Sequence, residues 1–310
     1  MVHITEAQVR EALPMELALE RVEEAFRRLA DGRMSNHPRR RIGLDNRAML
    51  HAMEAGDNES GLLGAKIYAT RPRVGAHFVV LLFDAETTRP LATIEADELG
   101  RIRTGAASGV ATKFLAAPDA KTLGLLGAGW QAETQLRAVA AVRRLERVKV
   151  FSRTPEKRQA FAAKMGAELG LAIEPADSPE AAVRYSDIVV TITTAKEPVA
   201  LGAWLAPGCH INAAGSNHAL RRELDGEAVA RAELVTTDSI EQARIEAGDL
   251  IQAVAEGRFD WDRLVALEDV VAGKTPGRPS PQAVTLFESQ GLAAQDLIVA
   301  EAVWRRVTGA

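Results

Sequence analysis

The feature that most restricts the fold of this chain is a short apolar run followed by two closely spaced glycines. Residues 122–126 have the length and composition of a buried strand, and Gly127 and Gly129 follow at once. A stretch with helical periodicity begins directly after them. A strand, a glycine-rich turn and a helix in this order are typical of the first βα unit of a dinucleotide-binding Rossmann domain.

Each position of this loop suits a bound pyrophosphate. Gly127 permits the tight turn, Gly129 leaves room for phosphate against the backbone, and Ala132 lets the helix sit close to the strand. The phosphates would lie at the helix N-terminus, where free N–H groups and the helix dipole favour negative charge. We therefore expect dinucleotide contacts from Gly127, Ala128, Gly129, Gln131 and Ala132.

The end of the next strand bears on which dinucleotide binds. A site that prefers NAD usually has an Asp or Glu there, which accepts hydrogen bonds from the ribose hydroxyls. After the strand expected at 147–151, this chain instead has Ser152, Arg153 and Thr154. An arginine and two hydroxyls favour a 2′-phosphate, which a carboxylate would repel. We therefore expect NADP, with NAD as the alternative if Arg153 only faces solvent.

The hydrophobic pattern divides the chain into two regions. From residue 39 to 96 the period is close to two, which predicts an antiparallel or mixed sheet with strands near 39–44, 48–54, 62–69, 77–84 and 89–95. Helices are expected at 5–31 and 97–116, before and after these strands.

Beyond residue 117, strands alternate with helical stretches, as in a doubly wound parallel sheet. The expected strands lie near 122–126, 147–151, 171–174, 187–192, 209–213 and 233–237. We therefore predict an α/β fold with two domains. The first is an α+β domain of residues 1–116, joined by a return of residues 285–310, and the second is a Rossmann domain at 117–284.

Composition and charge exclude several classes of protein. The net charge of −4 gives no electrostatic footprint for nucleic acid. No apolar run reaches the length of a membrane span, and the N-terminus lacks the pattern of a signal peptide. The one cysteine, Cys209, cannot form an intrachain disulfide, and we expect it to be buried. These features favour a cytoplasmic protein, and we expect no metal site.

Further motifs are spread over most of the chain. Beside the glycine loop they are Gly64-Ala-Lys66, Ile102-Arg103-Thr104-Gly105-Ala-Ala-Ser108, His210-Ile-Asn-Ala-Ala-Gly215-Ser216, Gln242-x-Arg244-x-Glu246 and Thr285-Leu-Phe-x-Ser-x-Gly291-x-Ala-x-x-Asp296. With these motifs the chain resembles the ornithine cyclodeaminase/mu-crystallin family. The resemblance implies a homodimer in which residues 1–116 bind substrate and pair their sheets across the two-fold axis. It implies one of four activities: cyclising deamination of ornithine, amino-acid dehydrogenation, ketimine reduction, or ligand binding without catalysis.

The chemistry of an α-amino or α-imino acid indicates what such a site must contain. The carboxylate has to be held, the nitrogen polarised and the α-carbon presented to the nicotinamide. By family position Arg103 and Arg41 look like the carboxylate clamp, since a guanidinium binds a carboxylate through two hydrogen bonds. A structural salt bridge is the alternative for each. Thr104 and Ser216 lie within the family motifs and are expected to contact the cofactor.

Lys66 lies in the middle of an expected strand with apolar neighbours, where lysine is rare unless it is paired or functional. Burial and nearby arginines would lower its pKa, so that it exchanges protons near neutral pH. The resemblance places this lysine against the substrate. Proton donor and carboxylate ligand are both open roles, and a surface lysine on an edge strand is the alternative.

Asn217 departs from the ornithine-cyclising members of the family, which have an aspartate at this position. Because Asn is no general base and offers no charge to a second amine, cyclodeamination is disfavoured. The adjacent His218 is either a replacement acid–base group or an exposed loop residue.

The expected function is that of an NAD(P)H-dependent imine reductase or amino-acid dehydrogenase acting on a small α-imino or α-amino acid. Its expected active-site residues are Lys66, Arg103, Arg41 and Asn217. An ornithine-type cyclodeaminase and a crystallin-like NADPH-binding protein with little turnover are the alternatives.

Overall fold

The computed structural model describes all 310 residues of the chain. The residues group into two compact units. Unit 1 comprises residues 1–107 and 291–310, and unit 2 comprises residues 108–290.

Unit 1 is built on a seven-stranded mixed sheet. Its strands are β1 (Val2–Ile4), β2 (Met34–Asn36), β3 (Arg40–Gly43), β4 (Met49–Asp57), β5 (Leu62–Arg71), β6 (Gly75–Asp84) and β7 (Pro90–Glu95). The order is β1-β7-β6-β5-β4-β2, and β3 also pairs with β4. The β1–β7 pair is parallel and the others are antiparallel. The period of two thus predicted the sheet correctly, although it missed β1 and β2, which are too short to show a period.

Three helices begin in the N-terminal part of the chain: α1 (Glu6–Ala12), α2 (Met15–Ala30) and α3 (Asp97–Leu115). The prediction of one helix at 5–31 is wrong, because the chain leaves the helical conformation at Leu13, where φ is −122° and ψ is 71°. Proline lacks the N–H of a helical hydrogen bond and disfavours helical torsions in the residue before it. Pro14 therefore ends the first helix and serves as the N-cap of the second.

Unit 2 contains an eight-stranded parallel sheet. Its strands are β8 (Thr122–Leu126), β9 (Arg147–Phe151), β10 (Ile173–Pro175), β11 (Ile188–Thr191), β12 (His210–Ala213), β13 (Ala232–Thr237), β14 (Leu264–Ala266) and β15 (Val284–Glu288). The order is β10-β9-β8-β11-β12-β15-β13-β14. The chain moves outward from β8 to β10 and then starts again at β11 on the other side of β8. This reversal is the switch point of a doubly wound sheet, so the predicted fold class is confirmed.

Helices cover both faces of this sheet. They are α4 (Trp130–Val142), α5 (Pro155–Leu169), α6 (Pro179–Val183), α7 (Gly226–Arg231), α8 (Ile240–Glu246), α9 (Gly248–Ala255) and α10 (Leu267–Val271). Leu125 and Val150 pack in the core on one face, and Ile211 and Leu286 pack in the core on the other. Burial on both faces explains why these strands are short continuous apolar runs.

The C-terminal residues differ in part from the predicted return to the first domain. The last helix, α11 (Ala293–Thr308), belongs to unit 1, where it packs on α2, β4 and β5. The strand before it does not, because β15 lies between β12 and β13 in the sheet of unit 2. All five of its residues are buried, as in a central parallel strand. None of the helices is long and apolar enough to cross a membrane.

Candidate functional site

Lys66 is buried in unit 1, with only 3% of its surface exposed. It lies on the face of β5 that α11 covers, and its Nζ donates to Asp296 Oδ1 on that helix at 2.9 Å. The same Nζ forms an ion pair with Asp296 Oδ2 at 2.7 Å. The helix approaches β5 closely because Gly64 has no side chain. A Cβ at Gly64 would lie 2.6 Å from Leu297 Cδ1. The Gly64-Ala-Lys66 motif therefore places the lysine against the carboxylate.

Arg103 binds the same carboxylate from α3. Its Nε donates to Asp296 Oδ1 at 2.8 Å, and its Nη1 donates to Gln295 Oε1 at 3.2 Å. The guanidinium packs against the backbone at Gly291, where φ is +77° and a Cβ would lie 2.6 Å from Nη1. Two cations thus share one buried carboxylate, and with Lys66 protonated the cluster has a net positive charge that suits an anionic substrate.

Burial acts in opposite directions on the groups of this cluster. Desolvation, followed by the positive charge of Arg103, lowers the pKa of Lys66 to about 7, although Asp296 opposes the shift. Burial alone would raise the pKa of Asp296, but Arg103 and Lys66 together hold it below its ordinary value. Asp296 is therefore ionised, and Lys66 is able to gain or lose a proton near neutral pH.

Arg41 lies on β3 opposite His51 of β4. Its Nε donates to His51 Nδ1 at 3.3 Å, and His51 Nε2 lies 2.9 Å from Thr70 Oγ1. Burial, together with Arg41 and Arg39, lowers the pKa of His51 to about 4, so the ring is neutral. A neutral ring that accepts at Nδ1 carries its hydrogen on Nε2 and donates it to Thr70.

Aromatic rings lie beside the lysine on the same face of the sheet. The rings of His51 and Tyr68 stack with their centroids 4.2 Å apart, and Tyr68 and Phe78 stack at 4.5 Å. Lys66 Nζ is 5.9 Å from the centroids of both Tyr68 and Phe78. The polar cluster is thus bordered by a flat apolar surface.

The glycine loop of unit 2 has the features that a dinucleotide needs. Gly127 has φ +120°, and a Cβ there would collide with the carbonyl oxygen of Ile192, so only glycine fits. Gly129 is the N-cap of α4, which has no side-chain cap, and the space beside its Cα is open. Ala132 is fully buried against the strand. The N-terminus of α4 therefore has open space beside Gly129, as phosphate binding requires.

The two remaining loop residues, Ala128 and Gln131, are half-buried. Gln131 Oε1 is buried without a hydrogen-bond partner. A buried acceptor of this kind is costly unless something donates to it, so it fits a ligand that supplies a donor.

The residues after β9 carry no carboxylate. Ser152 is half-buried, and Arg153 and Thr154 are exposed. A second arginine, Arg158, lies at the same end of the strand and donates from Nη1 to the carbonyl oxygen of Ser152 at 2.9 Å. Its guanidinium also lies 5.6 Å from the centroid of the Phe151 ring. Its Nη2 donates to Asp177 Oδ1 at 3.3 Å, so Arg153 is the arginine of this strand end whose charge can serve the adenosine ribose.

The loop after β12 holds the other predicted residues of unit 2. Ser216 is buried and its Oγ donates to the carbonyl oxygen of Arg221 at 3.4 Å, whereas Asn217 and His218 are exposed. In unit 1, Thr104 donates its hydroxyl to the carbonyl oxygen of Gly100 at 2.7 Å. No group of acidic, histidine or cysteine side chains is arranged to hold a metal ion.

Sequence reasoning missed Asp296 as a site residue, although it lies in one of the motifs. It also missed Gln295, whose Oε1 accepts from Arg103 Nη1. Arg39 is buried in the same unit, with its Nε 3.4 Å from Met53 Sδ. Asp296 lies on α11, and only the fold shows that it faces Lys66. Among the predicted residues of unit 1, the structure brings Lys66 and Arg103 together through this missed carboxylate.

Comparison with known proteins gives a consistent result. The model of the ornithine cyclodeaminase/mu-crystallin family matches residues 1–310. A Delta(1)-pyrroline-2-carboxylate reductase of Bacillus cereus is 40% identical over 251 residues, which cover 79% of this chain and 77% of the relative. An iminosuccinate reductase of Paracoccus denitrificans is 34% identical, covering 98% of this chain and 95% of the relative.

Two solved structures resemble the whole chain. The Delta(1)-pyrroline-2-carboxylate reductase of Thermococcus litoralis, in complex with NADH and L-proline, superposes with a TM-score of 0.96 at 35% identity, covering 100% of this chain and 98% of that one. An archaeal alanine dehydrogenase dimer with bound NAD superposes with a TM-score of 0.94 at 31% identity, covering 100% and 96%.

Proposed function

This chain belongs to the ornithine cyclodeaminase/mu-crystallin family, and we propose that it uses Lys66, Arg103 and Arg41 to bind and protonate a small α-imino acid. It is an NAD(P)-dependent imine reductase or amino-acid dehydrogenase, as its relatives with reductase and dehydrogenase activities indicate. The observation that carries the proposed residue roles is the buried cluster in which Lys66 and Arg103 share Asp296.

In this proposal Arg103 and Arg41 bind the carboxylate of the imino acid. Asp296 accepts from Arg103 Nε and fixes the orientation of the guanidinium. The Nη groups of Arg103 therefore bind the substrate carboxylate from a position that is already set. Arg41 is oriented by neutral His51 in the same way.

Lys66 donates the proton that the imine nitrogen needs. A bound reduced nicotinamide supplies a hydride to the imine carbon, which changes the C=N bond to an amine. Lys66, with a pKa of about 7, is protonated often enough to donate and releases its proton readily. The loop at Gly127–Ala132 would hold the dinucleotide, supported by the open N-terminus of α4.

The preferred cofactor in this proposal is NADPH. Relatives bind NAD or NADH, but exposed Arg153 and the absence of a carboxylate at residues 152–154 favour a 2′-phosphate. Arg153→Ala is expected to raise KM for NADPH about tenfold, the effect of one charge-assisted hydrogen bond, and to leave KM for NADH unchanged. An equal effect on both cofactors would contradict this preference.

We also propose a homodimer formed by the open face of the sheet in unit 1. On the face opposite Lys66, Ile42, Leu50, Leu63 and Val79 are 69%, 46%, 52% and 38% exposed. Contiguous exposed apolar residues on a sheet mark an interaction surface, and the archaeal alanine dehydrogenase is a dimer. Leu63→Glu is expected to give a monomer in analytical ultracentrifugation, and an unchanged mass would contradict the assignment.

The substrate class is tested by following oxidation of NADPH with a panel of imines. The panel contains Delta(1)-pyrroline-2-carboxylate and its six-membered homologue, and 2-oxo acids with ammonia, including oxaloacetate as the source of iminosuccinate. Turnover that is lost in Arg103→Ala supports the proposal, and the best substrate identifies the side chain. Release of ammonia from ornithine without turnover of any imine would instead support a cyclodeaminase, which Asn217 disfavours because it lacks a carboxylate.

A further inference from the structure

Two loops of unit 2 lie where the nicotinamide half of a dinucleotide is expected. In a doubly wound sheet, the strands on each side of the switch point bind one nucleotide each, beyond their carboxyl ends. The glycine loop and the end of β9 serve the adenosine half. The loops that follow β11 and β12 therefore belong to the nicotinamide half, if the chain binds a dinucleotide as proposed above.

One buried carboxylate joins these two loops. Glu223 has no exposed surface, and its Oε1 accepts from the backbone N–H of Thr193 at 2.6 Å. Its Oε2 accepts from the backbone N–H of Gly215 at 2.8 Å and from Thr191 Oγ1 at 2.8 Å. Thr191 and Thr193 lie at the end of β11, and Gly215 follows β12. A single side chain thus fixes the spacing of both loops.

The loops approach each other as closely as the backbone allows. A Cβ at Gly215 would collide with the backbone nitrogen of Thr193 and would lie 2.5 Å from Glu223 Oε1. There is no room for a larger residue at position 215. The position of Gly215 also sets that of the next residue, Ser216, which was predicted to contact the cofactor.

Glu223 is itself held by its backbone. Its N–H donates to Asp249 Oδ1 on α9 at 2.8 Å, and its carbonyl oxygen accepts from the N–H groups of Val199 at 2.7 Å and Ala200 at 3.0 Å. The carboxylate is therefore a fixed point to which the two loops are attached. It is not a flexible side chain that follows them.

The surroundings are unfavourable for a negative charge. Desolvation, followed by the nearby Asp249, raises the pKa of Glu223 to about 7. No lysine or arginine donates to its carboxylate in the hydrogen bonds described above. An ionised carboxylate in such surroundings lowers the free energy of unfolding. Destabilising residues of this kind are expected where function requires them.

We propose that Glu223 is a positioning residue that fixes the loops at 191–193 and 215–216 as a rigid support for the nicotinamide half of the cofactor. It does not touch the substrate in this proposal. It acts through the backbone of Thr193 and Gly215 and through the position of Ser216.

The test compares binding of the whole cofactor with binding of its adenosine half. Glu223→Gln replaces one acceptor oxygen by an NH2 group and removes at least one loop contact. We expect about tenfold weaker binding of NADPH and NADH in calorimetry, as for the loss of a buried hydrogen bond to a charged group, with binding of ADP unchanged. Glu288→Gln is the matched control, since Glu288 is equally buried but accepts from Gln290 and from neither loop. Its binding of both ligands is expected to equal that of the wild type.

Three results would overturn the proposal: unchanged NADPH and NADH binding in Glu223→Gln, equal weakening of ADP binding, or the same loss in Glu288→Gln. If Glu223→Gln does not fold, Thr191→Val removes one contact to the same carboxylate with little change in volume, and the same selective loss is expected at about threefold. The readout is binding, so it does not depend on turnover. A chain that binds NADPH in this pattern but reduces no imine would refute the proposed function and leave the role of Glu223 intact.

Discussion

Each unit buries a group of ionisable side chains, and the two groups differ in composition. In unit 1, Lys66, Arg103 and Asp296 combine opposite charges that pair directly. In unit 2, Glu223 and Asp249 are both acidic, and their carboxylates accept mainly from backbone N–H groups. Opposite charges that are buried together favour each other's ionised forms, whereas neighbouring buried carboxylates favour protonation.

The pKa values follow this difference. Two cations hold the pKa of Asp296 below its ordinary value. Burial raises the pKa of Asp249 to about 6 and the pKa of Glu223 to about 7. With Lys66 protonated, the cluster of unit 1 has a surplus positive charge that can attract a substrate carboxylate. Glu223 and Asp249 have no such positive charge. Their carboxylate oxygens accept hydrogen bonds from backbone N–H groups, including those of the two loops. We infer that the first group is built for chemistry and the second for position.

The largest effect is expected from removing the surplus charge in unit 1. Arg103→Ala should lower kcat/KM for the imino acid about a thousandfold, because both the carboxylate clamp and a partner of Asp296 are lost. It should also raise the pKa of Lys66, which Arg103 holds down. Steady-state kinetics measures the first effect, and the pH profile measures the second. Arg101→Ala on the same helix is the control, since Arg101 pairs with Glu98, and a comparable loss there would remove the distinction between the two arginines.

A smaller effect is expected from the proton donor. Lys66→Met should lower the rate of imine reduction about a hundredfold, which is within the usual range for a general acid. In the wild type, reduction requires the protonated lysine, so kcat/KM should be constant below a pH of about 7 and fall above it. Lys66→Arg keeps the positive charge but stays protonated, so this fall should disappear. A fall that persists near the same pH in Lys66→Arg would assign it to another group.

The glycine beside Arg103 tests whether the geometry of the cluster matters as much as its charge. Gly291→Ala would place a Cβ 2.6 Å from Arg103 Nη1, so KM for the imino acid should rise about tenfold as the guanidinium is displaced. Gly32→Ala is the matched control. Gly32 has a similar φ of +70°, but no atom lies within 4 Å of its added Cβ. Both substitutions should lower the free energy of unfolding by about 1 kcal/mol through backbone strain, and only Gly291→Ala should change KM.

The sequence predicts the parts of this site that are local. The strand, Gly127 and Gly129 lie within a few residues, so their spacing alone indicated a dinucleotide loop, and the alternation after residue 117 indicated the parallel sheet. The role of Asp296 is not local, because 230 residues separate it from Lys66. The insertion of β15 between β12 and β13 is likewise a matter of topology. An apolar run of five residues shows that a strand is buried but not which strands it pairs with.

The smallest effect is expected on the free energy of unfolding, from the buried carboxyl group of Glu288 in unit 2. Burial, followed by the charges of Asp249, Glu223 and Asp238, raises the pKa of Glu288 well above that of an ordinary carboxyl group. The folded protein therefore holds this proton more tightly than the unfolded chain, and the contribution of Glu288 to stability is lost as pH rises above the ordinary carboxyl range. Glu288→Gln removes that loss. Relative to the wild type, its free energy of unfolding should increase by about 1 kcal/mol between about pH 5 and about pH 8.

Chemical denaturation at the two pH values measures this difference, with the exposed Glu227→Gln on α7 as the control. The free energy of unfolding of Glu227→Gln should differ little from that of the wild type at both pH values, because a surface substitution has a small effect on stability. If Glu288→Gln showed no larger change than this control, the repulsion among the buried carboxyl groups of unit 2 would be balanced by interactions other than protonation. The contrast with the paired charges of unit 1 would then rest on hydrogen bonding alone, as in the bonds that Glu223 accepts from the N–H groups of Thr193 and Gly215.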